Sequence, residues 1–505
     1  EEKLSREYTI VYTTCAQPAQ KLYVTWPAQG ETGGEKRPSF LIERLETLFP
    51  QCQRREKPAP SPDQLRSLAA GVPSIRAALS EDPRSAALFR HLDQAARWQR
   101  GRLSPGAVSA LYGKKVPMSA SRMDQYQSCH FAYFLRYGLD ARARRPAGFD
   151  APEYGTFVHY VLEHVLRAIQ DQGGAAQVSD EAIQGFATQA VRDYVHGKLG
   201  GMEHQTPRFR YLFRRLEKGV RAVVENVVAE LRSSDFQPLW FELGFGYGPD
   251  KALPPVNRTS HGITLSISGF VDRVDGWRNE KDGRLYLRVV DYKTGRKSFD
   301  LTEVWNGLGL QLLLYLFTLE REGSPLFGEQ PVPAGVLYLP AREAVLKGNR
   351  TMDEAARQKE LDKELLRKGL ILEDADVVEA MEHGEGSLRF LPVKVKTKKD
   401  ETTISGDVLV SAEKLGRLDL HIQTILAQIC QEIARGNIDA DPFWRSKEQN
   451  ACTYCEFAQA CQFEESAEAT GDHRRWAPTV ENKAFWAKLS QTEEGGEPHG
   501  RQTNP

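Results

Sequence analysis

The chain has 505 residues, 40% of them hydrophobic and 27% charged, with a formal net charge of −1 at pH 7. That length suffices for roughly two to four domains of ordinary globular composition, and the near-zero charge excludes a globally basic nucleic-acid binder, so any DNA-binding patch has to be local. No apolar run approaches the roughly 20 residues of a membrane span, no signal peptide is visible, and seven cysteines at 15, 52, 129, 430, 452, 455 and 461 are too sparse and uneven for a secreted disulfide framework. A cytoplasmic chain with free thiols, some of them metal ligands, is expected. The start at Glu1, inside a charged run and without an initiator Met, is that expected of a fragment.

Within residues 1–30, TIVYTTCAQPAQKLYVTWP predicts a strand, a turn and a second strand. Residues 31–118 read as a helical connector. Phe40, Leu41, Leu45, Leu48 and Phe49 form one apolar stripe, Leu88, Leu92 and Trp98 another, and the proline-rich KPAPSPD at 57–63 links them. Cys15 and Cys52 are expected to be core thiols. Ser119 or Ser121 is a good N-cap for a helix running through Met123, Tyr126, Cys129 and Phe134.

The segment GTFVHYVLEHVLRAI is a helix that places Gly155, His159 and Glu163 on one face. A lone helical histidine is by default structural. Residues 178–235 continue as helix. There Arg208, Arg210, Arg214, Arg215, Lys218 and Arg221 interleave with Tyr211 and Phe213. A solvated face is the default for such a cluster, but arginines with aromatics also suit a DNA backbone, and the DNA reading is preferred. FQPLWFELGFG at 236–246 reads as a strand feeding the catalytic sheet, and its Glu242 is a candidate to lie near the site, with no role assigned.

The densest chemistry lies between Gly269 and Tyr315. GFVDRVDGW and LYLRVVDYKTG alternate with period two and form a hairpin with Gly283 in the turn. Leu285, Leu287, Val289, Asp291 and Lys293 then share one face, and the pairing brings Asp272 near Asp291 and Lys293. Two carboxylates suit a hard cation such as Mg²⁺ or Mn²⁺, and an adjacent ammonium suits a phosphoryl oxygen. A helix with Gln311 and Tyr315 one turn apart follows. Farther on, AGVLYLPAR reads as a strand and residues 345–400 as mostly helical. Within them LRKGLILEDADVVEAM is expected to be a helix pair broken at Gly369, and VKVKTKKDET a basic surface turn. IQTILAQIC buries Cys430 on a helix, and the tail beyond Asn482 is expected to be disordered.

In ACTYCEFAQACQF the spacing is Cys452-x2-Cys455-x5-Cys461. This is poor for a zinc ribbon, and a fourth thiolate is needed; Cys129 is the candidate. Four thiolates fit either a [4Fe–4S] cluster or an all-thiolate zinc site.

Asp272, Asp291-Tyr292-Lys293, Gln311 and Tyr315 resemble the core motifs of the PD-(D/E)XK nuclease superfamily, RecB-like branch, and Gly155-x3-His159 resembles that branch's histidine motif. With the cysteines, the match from roughly Ser119 to Trp476 resembles AddB-type helicase/deoxyribonuclease subunits. The resemblance implies an α/β nuclease core, a central mixed sheet flanked by helices, at 119–481, with a disordered tail at 482–505. It implies Mg²⁺ held by His159, Asp272, Asp291 and the Tyr292 carbonyl, and catalysis by Asp272, Asp291, Lys293 and Gln311, with Gln311 orienting Lys293 or the phosphate. It also implies a [4Fe–4S] staple on Cys129, Cys452, Cys455 and Cys461.

Residues 1–30 resemble the last motif of superfamily 1 helicases, but Gln17 stands where the arginine is expected and no GxxxxGK[ST] phosphate loop occurs. The implied domain is therefore the end of a helicase-like region that does not hydrolyse ATP, most of it upstream of Glu1. Single- and double-stranded DNA ends and an AddA-type helicase-nuclease subunit are the implied partners, and membranes are not. The implied function is Mg²⁺-dependent exonucleolytic processing of DNA double-strand breaks for recombinational repair. A DNA-binding scaffold with a decayed site is the alternative, weakened by the presence of every motif residue. A small-molecule phosphoesterase is a third reading.

Overall fold

A computed structural model describes residues 2–26, 37–51, 72–96, 101–142, 151–202, 206–248, 251–344, 346, 353–398, 401–465 and 472–491. Its contacts separate two units, Glu1–Ala96 and Arg97–Pro505.

The first unit is helical among its described residues, with helices Glu2–Ala16, Phe40–Leu48, Pro73–Leu79 and Pro83–Ala96. The strand expected over residues 9–16 is a helix instead. Thr9, Thr13 and Thr14 each turn their hydroxyl back onto the carbonyl four residues earlier, at 2.9, 2.7 and 2.8 Å. This local bonding satisfies β-branched threonines inside a helix, and strand propensity is too weak to override it. Leu22–Val24, expected as the second strand, form no regular element. Of the first apolar stripe, Phe40, Leu48 and Phe49 are exposed and it is Ile42 that is buried. In the last helix the buried ring is Phe89, with Leu88 and Leu92 half-buried. Cys15 is half-buried, not a core thiol. Cys52, Trp98 and the 57–63 linker lie outside the described residues.

The second unit is a mixed α/β fold around a six-stranded sheet. Its strands follow one another in chain order across the sheet: β1 (Gln237–Phe245), β2 (Gly269–Arg278), β3 (Leu285–Lys293), β4 (Val332–Pro340), β5 (Lys368–Leu372) and β6 (Leu409–Val410). The pairs β1–β2, β2–β3 and β4–β5 are antiparallel, whereas β3–β4 and β5–β6 are parallel. Gly283, at φ +73°, turns the predicted β2–β3 hairpin. The crossover from β3 to parallel β4 carries α4 (Gln311–Glu322), whose residues Leu312 to Leu319 are all buried, as expected for a helix with apolar residues on every side.

Three long helices precede the sheet: α1 (Ala151–Asp171), α2 (Asp180–Leu199) and α3 (Pro207–Arg232). In α1, Phe157, Val158, Val161, Leu162, Val165, Leu166 and Ile169 repeat every three or four residues, and all are at most 2% exposed. Thr206 caps α3 through its side chain, with Pro207 in the first turn. After the sheet come α5 (Ala412–Ala434), which buries Cys430 as expected, and α6 (Asn482–Gln491).

Four expectations are corrected here. Gly369 does not break a helix pair; it lies in β5, followed by a helix at Ala375–Met381. A Cβ at Gly369 would stand 1.8 Å from the Val336 carbonyl oxygen, so glycine is what lets β5 approach β4. A short apolar run such as GLIL has no periodicity that separates strand from helix. The tail from Asn482 is ordered as α6, because Phe485, Trp486 and Leu489 are buried and Phe485 meets Trp305 edge to face; residues 492–505 lie outside the described residues. The helix from Ser119, which that residue caps through its side chain, ends at Ser128. Cys129 is extended (φ −169°, ψ 124°) before a new turn begins. Finally, strand Lys115–Met118, within the expected connector, pairs in parallel with Ile263–Ile267 of the second unit.

Behind the sheet lies a dry charge network. Arg273, Arg288, Arg367, Asp275 and Glu230 are each at most 1% exposed. Arg273 and Arg288 reach Asp275 at 2.8 Å, and Arg288 and Arg367 reach Glu230 at 3.2 and 2.7 Å. Alternation along β2 and β3 sends Arg273, Asp275 and Arg288 to the face opposite Asp272 and Asp291. Among the described residues no helix is long and apolar enough to cross a membrane.

Candidate active site

The last paired residues of β2 and β3 are Arg273 and Val290. Beyond them the strands part, and the Tyr292 N–H donates to Asp272 Oδ2 at 2.7 Å. This single bond fixes Asp272 (8% exposed) on the side of β3 that carries Asp291 (2% exposed). Lys293 ends the same strand with its ammonium 2.5 Å from Asp291 Oδ2. Gly155 in α1 lies over the turn after β3, a Cβ there being 3.7 Å from Thr294 Oγ1. One turn on, His159 Nδ1 lies 3.4 Å from Asp272 Oδ1, and its Nε2 lies 3.1 Å from the Tyr292 carbonyl oxygen.

A further carboxylate joins them. Glu242 sits on β1 at φ +48°, past a register shift in the β1–β2 pairing. One ligand atom each of His159, Glu242 and Asp272 lie within 4.8 Å of one another. Irregular backbone that aims a side chain is a common feature of functional edges.

Electrostatics mark this as a site short of positive charge. Burial and the Asp272 charge push the Asp291 carboxyl up to about 6, against the pull of Lys293. Burial, Asp272 and Glu163 raise Glu242 to about 7. Burial would lower His159, but hydrogen bonding and charge from Asp272, helped by the Tyr292 carbonyl, lift it to about 9. Among the described residues, the two carboxylates of Glu242 and Asp272 and the His159 imidazole form a trio that could hold a divalent cation, and Asp291 is not part of that trio.

The other predicted residues fall close by. Gln311 opens α4 and donates to the Tyr315 hydroxyl at 3.3 Å, not to Lys293. Tyr315 packs edge-on against Phe245, and its hydroxyl lies against Gly269, so it braces the start of β2. Glu163 pairs with Arg167 at 3.0 Å, and His164 stacks on Tyr160 at the surface. Asp124, which carried no sequence signal, holds the Gly309 N–H at 2.8 Å, and burial raises its carboxyl against that bond and the Lys297 charge.

The cysteines gather at a second place. Cys129 packs with Phe457 and Cys455 in one small apolar cluster. Burial pushes the Cys129 thiol up to about 12, and burial together with Cys455 and Cys461 raises Cys452. Crowded thiols that resist ionisation are what a thiophilic metal would relieve. The chain also closes this region by itself. Asp441 accepts from the His130 backbone N–H at 3.0 Å and lies 2.6 Å from His130 Nδ1, Phe131 N–H donates to Asp439 O at 2.9 Å, and Arg475 reaches Asp441 and Gln127. Strands Phe443–Trp444 and Arg475–Trp476 then pair on either side of the cysteine loop.

The sequence pattern of the PD-(D/E)XK nuclease superfamily matches residues 117–462, which is more than half of the chain. The chain belongs to the PD-(D/E)XK nuclease superfamily. Among curated proteins it is similar to the AddB-type ATP-dependent helicase/deoxyribonuclease subunit of Clostridium acetobutylicum, with 26% identity over 97% of this chain and 44% of that protein. The corresponding helicase/deoxyribonuclease subunits from Clostridium perfringens and Acetivibrio thermocellus are 27% and 29% identical, over 99% and 90% of this chain and 45% and 42% of theirs. The chain thus spans less than half the length of these relatives.

Proposed function

We propose that this chain is the nuclease-bearing part of a helicase–nuclease subunit, hydrolysing phosphodiester bonds of single-stranded DNA exonucleolytically during double-strand break processing for recombinational repair. The observation that carries the reading is the convergence of His159, Glu242 and Asp272 within 4.8 Å, beside the Asp291–Lys293 pair. His159, Asp272, Asp291 and the Tyr292 carbonyl would hold Mg²⁺, with Glu242 as an added ligand. Bound there, the ion supplies Lewis acidity toward the scissile phosphate and its attacking water. Lys293, held by Asp291, places its ammonium where charge builds on a non-bridging oxygen. The Tyr292 N–H keeps Asp272 in its ligating rotamer, and Gln311 orients the phosphate from the start of α4.

Cys129, Cys452, Cys455 and Cys461 would carry a [4Fe–4S] cluster that is structural. It would add to the closure that His130, Asp441 and Arg475 already make. Residues 1–30 would end a helicase-like region without ATP hydrolysis, and an AddA-type subunit in the cytoplasm would supply the motor.

The test is digestion of end-labelled single-stranded DNA with Mg²⁺, with EDTA and with Asp291→Ala, alongside iron content and visible absorbance. Mg²⁺-dependent cleavage lost in the variant supports the site. Wild-type cleavage by Asp291→Ala refutes it, and an inactive, iron-replete chain favours a scaffold or a strict need for the partner.

A further inference from the structure

Two clefts share Arg342, and one of them contains Lys293. The first, with a volume of about 260 Å³, is lined by Lys293, Arg296, Lys297, Arg342 and Lys368, with Glu364 as its one acid. The second, about 450 Å³, is walled by Tyr154, Phe209, Leu212, Phe213 and Leu216. Arg342 borders both. Among the described residues the apolar cleft reaches the site only through Arg342, because the basic cleft that shares this residue is the one that contains Lys293.

We propose that these clefts are the bed of a single DNA strand leading to the metal site. The basic cleft would take backbone phosphates next to the scissile one, and the apolar cleft would take unstacked bases. The proposal rests on the nuclease reading above.

Charge argues for the first half. Lys293 is tied to Asp291 and Lys297 to Glu303 at 2.9 Å, which leaves Arg296, Arg342 and Lys368 gathered around one carboxylate. Glu364 accepts from Arg342 at 3.1 Å and lies 3.9 Å from Arg296. A carboxylate that takes one hydrogen bond from Arg342 and faces the charge of Arg296 stands where a phosphate oxyanion would accept from the same guanidinium groups. An incoming phosphate therefore exchanges with Glu364.

Shape argues for the second half. Phe209 and Phe213 lie nearly parallel with centroids 6.0 Å apart, and Gly219 leaves room where Tyr154 and Glu343 come together. Next to this wall, Tyr211 and Leu212 on α3 are 62% and 45% exposed, and Arg208, Arg210 and Arg214 are exposed around them. Aromatic walls with flanking arginines hold bases one at a time, which a duplex, with its bases stacked inside, does not offer.

The experiment is fluorescence anisotropy of a labelled oligothymidylate with the whole chain in EDTA, across a salt series. Arg296→Ala/Lys368→Ala is expected to weaken binding at least tenfold and to flatten the salt slope by about 1.4, at about 0.7 per lost phosphate contact. Phe209→Ala is expected to weaken binding by roughly 5- to 150-fold, the range of about 1–3 kcal/mol for one stacked base, without changing the slope. Glu364→Gln is expected to tighten it. Circular dichroism of each variant checks folding. Wild-type affinity and slope in the double charge variant, or equal competition by duplex DNA, would overturn the proposal. Cleavage of the small diester bis-p-nitrophenyl phosphate by the wild-type chain with Mg²⁺ separates the two claims. If that activity is present while the cleft variants bind normally, the strand path is wrong and the nuclease reading stands. If the wild-type chain neither cleaves the diester nor binds or cleaves DNA, both fail.

Discussion

Replacing Glu230 by glutamine probes the charge network beneath the site without touching the site. Burial alone would raise this carboxyl, yet Arg367, Arg288 and Arg273 lower it from 4.5 to about 2. At about 1.4 kcal/mol per pH unit, that preference for the ionised form is worth about 3 kcal/mol. The neutral amide also leaves the buried Arg367 without its carboxylate partner and Arg288 with Asp275 alone, a loss of about 3–5 kcal/mol by comparison with other broken buried pairs. A carboxyl with a depressed folded-state pKa contributes its full stability above its unfolded value, near 4.5, and loses it as pH falls toward 2. Urea denaturation at pH 7 is therefore expected to show Glu230→Gln less stable by about 3–5 kcal/mol, with the deficit narrowing steadily between pH 5 and pH 2.5. The double variant Glu230→Gln/Arg367→Met is expected to recover part of the loss, because it removes the stranded charge. A deficit that stays constant over that pH range would refute an ionised, arginine-held Glu230.

Other outcomes are expected nearer the chemistry. Glu242→Gln is expected to raise the Mg²⁺ concentration needed for half-maximal cleavage by about tenfold or more, read from a metal titration, with little change in thermal stability. Gly369→Ala forces a methyl group into the Val336 carbonyl and is expected to cost more than the usual 1–3 kcal/mol or so of an overpacked core, seen as a lower urea midpoint. Cys129→Ser is expected to lose visible absorbance and bound iron while far-ultraviolet dichroism is largely kept, because His130, Asp441 and Arg475 close the domain independently.

The β2–β3 hairpin is legible in the sequence because period-two alternation and a turn glycine are local signals, and they place Asp272, Asp291 and Lys293 together with no knowledge of the rest of the chain. Helix α1 is equally plain, since its buried stripe repeats within one element. The first thirty residues mislead because β-branched composition favours a strand, whereas the threonine side-chain bonds that offset it form only once a helix is present. The segment around Gly369 misleads for a different reason. Its glycine reads as a breaker in isolation and becomes a contact requirement only once β4 lies against it. The tail from Asn482 looks too polar to fold, but three apolar residues suffice when a core surface is waiting for them.

Residue order alone singled out Asp272, Asp291 and Lys293, the spacing of Cys129 with Cys452, Cys455 and Cys461, and the helix that carries His159. These depend on spacing within one element, and spacing is fixed by the backbone. Only the tertiary structure brings Glu242 within 4.8 Å of His159 and Asp272, gives Arg342 to both a basic and an aromatic cleft, and gathers Arg273, Arg288 and Arg367 around Asp275 and Glu230. Those groups meet across long stretches of chain, and their meeting depends on which faces the sheet turns inward, which no local pattern encodes.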